Sequence, residues 1–394
     1  MAIELSERVQ RLQPSPTLAV TARAAALQAQ GQDIIGLGAG EPDFDTPEHI
    51  KEAAIRAIHA GQTKYTPVGG TASLKRAVIG KFRRDNGLEY QPDQILVSCG
   101  GKQGIFNLCQ ALLNHGDEVI IPAPYWVSFP EIVQISGAIP VIIPTGTEQA
   151  YKITASQLQR AITPRTRLLI INSPSNPTGM AYTRAELNSL AEVLKRHPRV
   201  IILTDDMYEH IQWRNGPFCN ILMACPELYD RTVVQNAVSK TYAMTGWRIG
   251  FAGGPANLIQ AMTNVQSQST SNPTSISQAA AEAALTGDQH CVQAMCRAYQ
   301  ERHQFVYESL MRLPDVRVLP VDGTFYSFPD FSQAITRRKL RDDIELCERL
   351  LTDAGIAVVA GSAFGAPGHL RISFATSMEN LKKALARLAD FLGK

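Results

Sequence analysis

What the chain lacks narrows its class first. No stretch approaches the ~18 consecutive apolar residues of a membrane-spanning helix, and residues 1–14 are polar, without the apolar core of a secretory leader. A protein that neither crosses nor binds a membrane, in the cytoplasm, is therefore expected. The seven cysteines are odd in number and form no Cys-x-x-Cys pair of zinc or thioredoxin type. They are expected to be buried free thiols in a reducing compartment. Charge of one sign is scarce too: 38 Lys and Arg stand against 36 Asp and Glu, a net charge of +2. That leaves no electrostatic footprint for nucleic acid, so any anion must be bound by local groups. The Asp and His residues show no metal spacing, so no metal is expected. Internal repeats, low-complexity tracts and Gly/Ser linkers are missing as well.

What remains is an ordinary globular composition, 45% hydrophobic and 19% charged with 28 Gly and 23 Pro. Its 394 residues suggest two or three domains. Residues 46–61 carry a helix start in Thr46-Pro-Glu, an apolar face and a stop in Gly61. Short apolar runs follow at 95–98, 118–121, 168–171, 200–204, 232–235 and 249–252. Runs without a polar face suit strands buried on both sides, so the fold class is α/β, a mainly parallel sheet covered by helices. Between them, Thr183 with Glu186 forms a capping box that opens a helix. Beyond about residue 286 the pattern changes to a long helix (289–313), strand-like runs (316–319, 325–328), a helix near 341–354, a strand at 370–374 and a closing helix (378–392). This predicts a large domain over 46–287 and a smaller α+β domain over 288–394, with residues 1–45 as an arm that packs partly with the latter.

In an open parallel sheet, ligands bind beyond the carboxyl ends of the strands. Four such ends carry polar groups. Run 95–98 leads into Gly100, Gly101, Lys102 and Gln103 and then a helix, which is either a plain turn or an anion cradle of backbone N–H groups and a positive dipole end. Run 168–171 leads into a proline-locked loop holding Asn176. Run 200–204 delivers Asp205, with Asp206 and Tyr208; a carboxylate there is commonly a helix cap. Run 232–235 leads to Ser239, Lys240 and Arg248, and Lys240 is either a surface lysine or one with a lowered pKa and a chemical role. Together these ends form a site with an anion cradle, a carboxylate, a phenol and an amine.

The strings Gly40-Glu-Pro-Asp-Phe, Thr63-Lys-Tyr-Thr-Pro, Gly100-Gly-Lys-Gln, Pro124-Tyr-Trp-Val-Ser, Asn172-Ser-Pro-Ser-Asn-Pro-Thr-Gly, Asp205-Asp-Met-Tyr, Ser239-Lys-Thr-Tyr-Ala-Met-Thr-Gly-Trp-Arg-Ile-Gly and His369-Leu-Arg-Ile-Ser run in order over nearly the whole chain. In them the sequence resembles the fold-type I pyridoxal-phosphate aminotransferases of class I, and more closely their bacterial aspartate aminotransferase subgroup. The resemblance implies that Lys240 forms the internal Schiff base (aldimine) with pyridoxal 5'-phosphate and, once displaced, moves the proton between Cα and C4′. Asp205 would pair with the ring nitrogen, and Tyr208, with Asn176 beside it, would hold the 3′-oxygen. Arg248 and the backbone of Gly101, Lys102 and Gln103 would hold the phosphate, next to Ser239. Trp126 would stack on the ring, and Tyr65 would reach the phosphate of the neighbouring subunit in a homodimer. Arg371 would take the substrate α-carboxylate, with Gly40 contributing backbone, and Lys102 would meet a distal carboxylate.

The implied reaction is amino transfer between L-aspartate and 2-oxoglutarate, giving oxaloacetate and L-glutamate. The alternatives are the same chemistry on aromatic or prephenate-type substrates, or a β-eliminating lyase. A transcription regulator with a related sensor domain would need a basic winged-helix segment ahead of the matching region, for which no room is seen. Three departures from the pattern stand out: Asp206 follows Asp205 where a glutamate is usual, Ala237 replaces a phosphate-binding hydroxyl, and Ser175 replaces an asparagine. Trp213 and Trp247 read as core or interface aromatics, His210 as a structural partner, and Arg337, Arg338, Lys339 and Arg341 as a solvated helix face.

Overall fold

The computed structural model describes residues 3–12, 14, 16–214 and 216–393. The apolar runs form a seven-stranded sheet: β1 (Ile95–Ser98), β2 (Glu118–Ala123), β3 (Ile139–Pro144), β4 (Thr166–Asn172), β5 (Ile201–Asp205), β6 (Thr232–Ala237) and β7 (Gly250–Gly253). Their spatial order is β1-β7-β6-β5-β4-β2-β3. All neighbours pair parallel except β7, which is antiparallel to both β1 and β6. The expected parallel sheet is therefore present with one strand reversed. The connection between β6 and β7, residues 238–249, holds only the short helices Val238–Thr241 and Thr245–Trp247 rather than one long helix that would carry the chain back along the sheet, and the strand returns antiparallel.

Alternate residues of one strand feed two separate cores. Ile95 and Val97 pack in one cluster with Leu74, Val78, Ala280 and Ala284, whereas Leu96 packs in another with Ile105, Leu108 and Met262. Helices Ala72–Lys81 and Ser275–Thr286 thus cover one face, and helices Gly101–Leu112 and Ala256–Ser267 the other. Period-2 alternation combined with burial on both faces makes these strands read as unbroken apolar runs. Strand β3 was not expected. It lies at the sheet edge, where Pro140 and Pro144 are tolerated because no further strand needs their missing N–H groups. The capping box is formed as the spacing predicts: the Thr183 hydroxyl accepts from Glu186 N at 3.2 Å, and the Glu186 carboxylate accepts from Thr183 N at 2.7 Å.

The C-terminal part is built from helix His290–Met311, helix Asp343–Ala354, helix Met378–Gly393 and short strands. Tyr326–Ser327 and Val359–Ala360 flank Leu370–Ser373 antiparallel, and Ile35–Gly36 pairs parallel with Ile356–Ala357. The N-terminal segment thus pairs with C-terminal residues, and Ile35 and Leu37 share a cluster with Tyr299, Phe325, Leu350 and Leu381. Residues 316–319 make no strand; Arg317 forms only an isolated bridge with Asp330.

Two further expectations are corrected. The thiols are all free, yet only Cys109, Cys219 and Cys225 are buried, the other four being partly exposed. The basic run at 337–341 is solvated, with Arg337, Lys339 and Arg341 exposed, but it is not a helix face: helix Ser332–Arg337 ends there, and Arg337 and Arg338 also donate to the carbonyls of Leu392 (2.8 Å) and Phe391 (2.7 Å). They satisfy carbonyls that the last turn of the C-terminal helix leaves without internal partners. No helix among the described residues is long and apolar enough to cross a membrane.

Candidate active site

Strands β1, β4, β5 and β6 end around one cavity of about 400 Å³, within the size range of small-molecule sites. At the end of β1, Gly100 adopts φ +83°, and a Cβ there would collide with the Arg248 guanidinium, its Cζ falling at 2.7 Å. Only glycine permits both the turn and the approach. The helix that follows, Gly101–Leu112, has no side-chain cap at its N-terminus. Arg248 is exposed, sits at φ +57°, and donates to the carbonyls of Thr245 (3.0 Å) and Cys99 (3.4 Å). An uncapped helix N-terminus beside a guanidinium is an anion site. Ala237 closes it with a methyl where a hydroxyl would add a donor; its Cβ falls 3.8 Å from a Cβ built on Gly101.

The carboxylate comes from β5. Asp205 is buried, and among the described residues its carboxylate accepts only from the Met207 N–H, at 3.3 Å. Burial pushes its carboxyl up to about 7, against the opposing pull of Lys240. Asp206 faces away from the cavity into a buried network, accepting from the Thr204 hydroxyl and the Asn220 amide, both at 2.6 Å. The Asp-Asp pair therefore divides into one residue for the cavity and one for the core. Tyr208, also buried, places its hydroxyl 3.2 Å from that of Tyr326.

From β6 a short helix, Val238–Thr241, presents Ser239 and Lys240 to the cavity. Lys240 Nζ donates to the Gly40 carbonyl at 2.5 Å. Burial lowers its pKa to about 8, while Glu41 opposes the shift and Arg371 and Arg248 add to it. The Asn176 loop closes the next side: Asn172 Oδ1 accepts from Asn176 N (2.8 Å), and Asn172 Nδ2 donates to the Asp205 carbonyl (3.0 Å). Arg371, buried on the strand Leu370–Ser373, donates to Asn176 Oδ1 (3.0 Å) and to the Gly38 carbonyl (2.7 Å).

Of the residues expected from sequence, Gly40, Gly101, Lys102, Trp126, Asn176, Asp205, Tyr208, Ser239, Lys240, Arg248 and Arg371 all line this cavity. The Lys102 ammonium lies 5.0 Å from the Trp126 ring centroid, and burial, with Arg248 nearby, lowers its pKa. Gln103 lies outside the lining: its side chain bonds Cys99 N (2.6 Å) and the Thr270 hydroxyl (2.5 Å) and so holds the Gly100 turn. Tyr65 is not brought to the site of its own chain and stands 94% exposed. His210 is structural, as expected, its Nε2 lying 3.2 Å from Asp85 and 3.3 Å from Glu209. With the Lys81 ammonium in contact with Glu209, this acidic cluster is already charge-compensated. Sequence reasoning missed Tyr326, Glu41, and Thr17 and Thr21 of helix Pro16–Ala29, which also line the cavity. Tyr326 sits in an apolar run that read as strand core, so no polar signal marked it.

The donor set fits pyridoxal phosphate. Asp205 is a buried carboxylate whose one partner among the described residues is a backbone amide, which suits a protonated ring nitrogen; the uncapped helix with Arg248 suits a phosphate. Lys240 is a desolvated amine, and Arg371 Nε has no partner among the described residues.

Comparison with known proteins agrees. The profile of the family described as aminotransferase class I and II matches residues 32–388. An aspartate/prephenate aminotransferase of Nitrosomonas europaea is 58% identical over 396 residues, 99% of this chain and 100% of that protein. An aspartate aminotransferase of Bacillus subtilis is 45% identical over 392 residues, 100% of both. Among solved structures, the aspartate aminotransferase of Rhizobium meliloti superposes with a TM-score of 0.95 at 46% identity, covering 100% of this chain and 99% of that one. That of Thermus thermophilus with maleate gives 0.93 at 44% identity, covering 99% and 100%.

Proposed function

Because the chain belongs to the class I and II aminotransferase family, and is thus an aminotransferase that works with pyridoxal phosphate, we propose that it transfers the amino group of L-aspartate to 2-oxoglutarate, giving oxaloacetate and L-glutamate. The observation that carries the acidic choice is Lys102, an ammonium at the cavity wall over Trp126, in a site where Arg371 already provides for an α-carboxylate. With Arg248 and Lys240 assigned to the cofactor, the two remaining cations of the cavity, Lys102 and Arg371, suit a substrate with a carboxylate at each end.

When bound, pyridoxal phosphate supplies an electron sink for the negative charge left on the substrate's Cα. The chain's residues hold it and move the proton. Arg248 and the first-turn amides of helix Gly101–Leu112 would anchor the phosphate, with Ser239 beside them. Asp205 would keep the ring nitrogen protonated, Tyr208 and Asn176 would hold the ring oxygen, and Trp126 would stack on the ring. Arg371 orients the amino acid by its α-carboxylate, the Gly40 backbone closes the opposite side, and Lys240 takes the proton from Cα. A lysine whose pKa burial lowers to about 8 keeps a usable fraction of free amine near neutral pH, which a general base requires.

The exposed Tyr65 supports a homodimer in which it reaches the phosphate of the other subunit's site. The cytoplasm remains the proposed compartment, and 1–45, 46–287 and 288–394 the proposed division into arm, large and small domains. The name borne by the Nitrosomonas europaea relative favours a second acceptor, prephenate. The test is a half-reaction screen: the loaded enzyme is mixed with each amino acid in turn and the cofactor absorbance is followed. Aspartate and glutamate should react fastest, and aspartate-dependent amination of prephenate should appear in the second half-reaction. Preference for neutral donors, or pyruvate and ammonia as products, would reject the reading.

A further inference from the structure

Tyr326 touches three working parts of the cavity. It is fully buried in the strand Tyr326–Ser327, opposite Ser373 and so beside Arg371 in the sheet. Its hydroxyl lies 3.2 Å from that of Tyr208. The Arg371 guanidinium carbon lies 4.5 Å from its ring centroid and 5.0 Å from that of Phe364, so the cation is gripped between two aromatic rings. A Cβ on Gly40, whose carbonyl receives Lys240, would fall 3.3 Å from the same Tyr326 hydroxyl.

Two hydroxyls that share one hydrogen bond cannot both donate in it, and neither phenol has another side-chain or backbone partner among the described residues. The direction follows from Arg371. A guanidinium on the Tyr326 ring stabilises negative charge there more than on Tyr208, which makes Tyr326 the stronger acid and the donor. We infer that Tyr326 is a positioning residue: its hydroxyl donates to Tyr208 and thereby aims the Tyr208 proton at the cofactor's ring oxygen. The inference rests on the proposed role of Tyr208. A hydroxyl that accepts one hydrogen bond becomes a better donor in the next, by a tenth to a third of the bond. Arg371, Asp205 and Glu41 are the charged groups acting on the pair, and removing one hydroxyl leaves all three in place.

The test is a spectroscopic pH titration of the lysine-bound cofactor in wild type, Tyr208→Phe, Tyr326→Phe and the double variant, with steady-state kinetics alongside. Losing a donor to the ring oxygen disfavours its anionic form, so Tyr208→Phe should titrate at higher pH. Tyr326→Phe should shift the same way by a smaller amount, about 0.3 unit. With Tyr208 already gone, Tyr326→Phe should add nothing. The KM for aspartate should stay within about twofold in Tyr326→Phe, because the ring over Arg371 is retained. If Tyr208→Phe shifts the titration and Tyr326→Phe does not, or if the two shifts add in the double variant, the inference is wrong while the role of Tyr208 stands. If Tyr208→Phe itself titrates as wild type, that role fails and the inference falls with it.

Discussion

Arg371 Nη1 donates to the amide oxygen of Asn176 at 3.0 Å, across 195 positions of sequence. The guanidinium is held by neutral groups alone, the other being the Gly38 carbonyl, and among the described residues no carboxylate pairs with it. A buried cation without an anion is costly, and the charge is compensated when a substrate carboxylate arrives. Every amino acid supplies that carboxylate, so selectivity has to come from elsewhere in the cavity.

Lys102 is the group placed to supply it. A charged hydrogen bond contributes about 1.5–3 kcal/mol. Lys102→Ala should therefore lower kcat/KM for aspartate and glutamate roughly tenfold to a hundredfold, and leave alanine and phenylalanine nearly unchanged. An equal fall for acidic and neutral donors would assign Lys102 to the phosphate instead.

Asp205→Ala should retain the cofactor, as judged by its absorbance after gel filtration, while transamination falls at least about 100-fold. The retained phosphate and ring contacts account for binding, and the lost partner of the ring nitrogen accounts for the rate. Near-normal turnover would reject the pairing.

Legibility followed chemistry. Lys240 and Asp205 could be found because each is a charged residue at the end of an apolar run, where burial without function would be costly; Arg371 was legible only through the resemblance carried by His369-Leu-Arg-Ile-Ser. Tyr326 and the threonines of helix Pro16–Ala29 could not, because a tyrosine in a short strand flanked by phenylalanines and a helical threonine are ordinary packing residues. In the fold, alternation and runs located β1, β2, β4, β5 and β6. The reversal of β7 and the edge strand β3 depend on connection length and on what lies beside them, which apolar patterning does not record.

Mixing Tyr65→Phe chains with Lys240→Ala chains tests the shared site. A hybrid dimer would hold one site with both its own Lys240 and the partner's Tyr65 intact. Random reassociation should restore about a quarter of wild-type activity over the sum of the parents. No recovery, or a fully active monomer by sedimentation, would remove Tyr65 from the site.

The buried cluster behind Tyr208 gives a pH prediction. Burial works against the charged form of His210, yet Glu209 and Asp85 together raise its pKa to about 9 from the usual 6.5. A group raised in the folded state stabilises fully below its unfolded pKa and loses that contribution as pH rises through the folded value. His210 should therefore contribute about 2–3 kcal/mol below pH 6.5, and nothing beyond roughly pH 9. His210→Gln should lower Tm by several degrees at pH 6 and leave it unchanged at pH 9.5. A uniform loss at both would show that packing, not charge, is what His210 provides.

The central claim is that this chain carries out amino transfer through a cofactor held on Lys240. Borohydride reduction of the loaded enzyme followed by peptide mapping tests it most directly. The pyridoxyl mass should lie on the peptide containing Lys240, and adding L-aspartate before the reductant should abolish the label. A label on another lysine, or one that aspartate leaves untouched, would contradict the account.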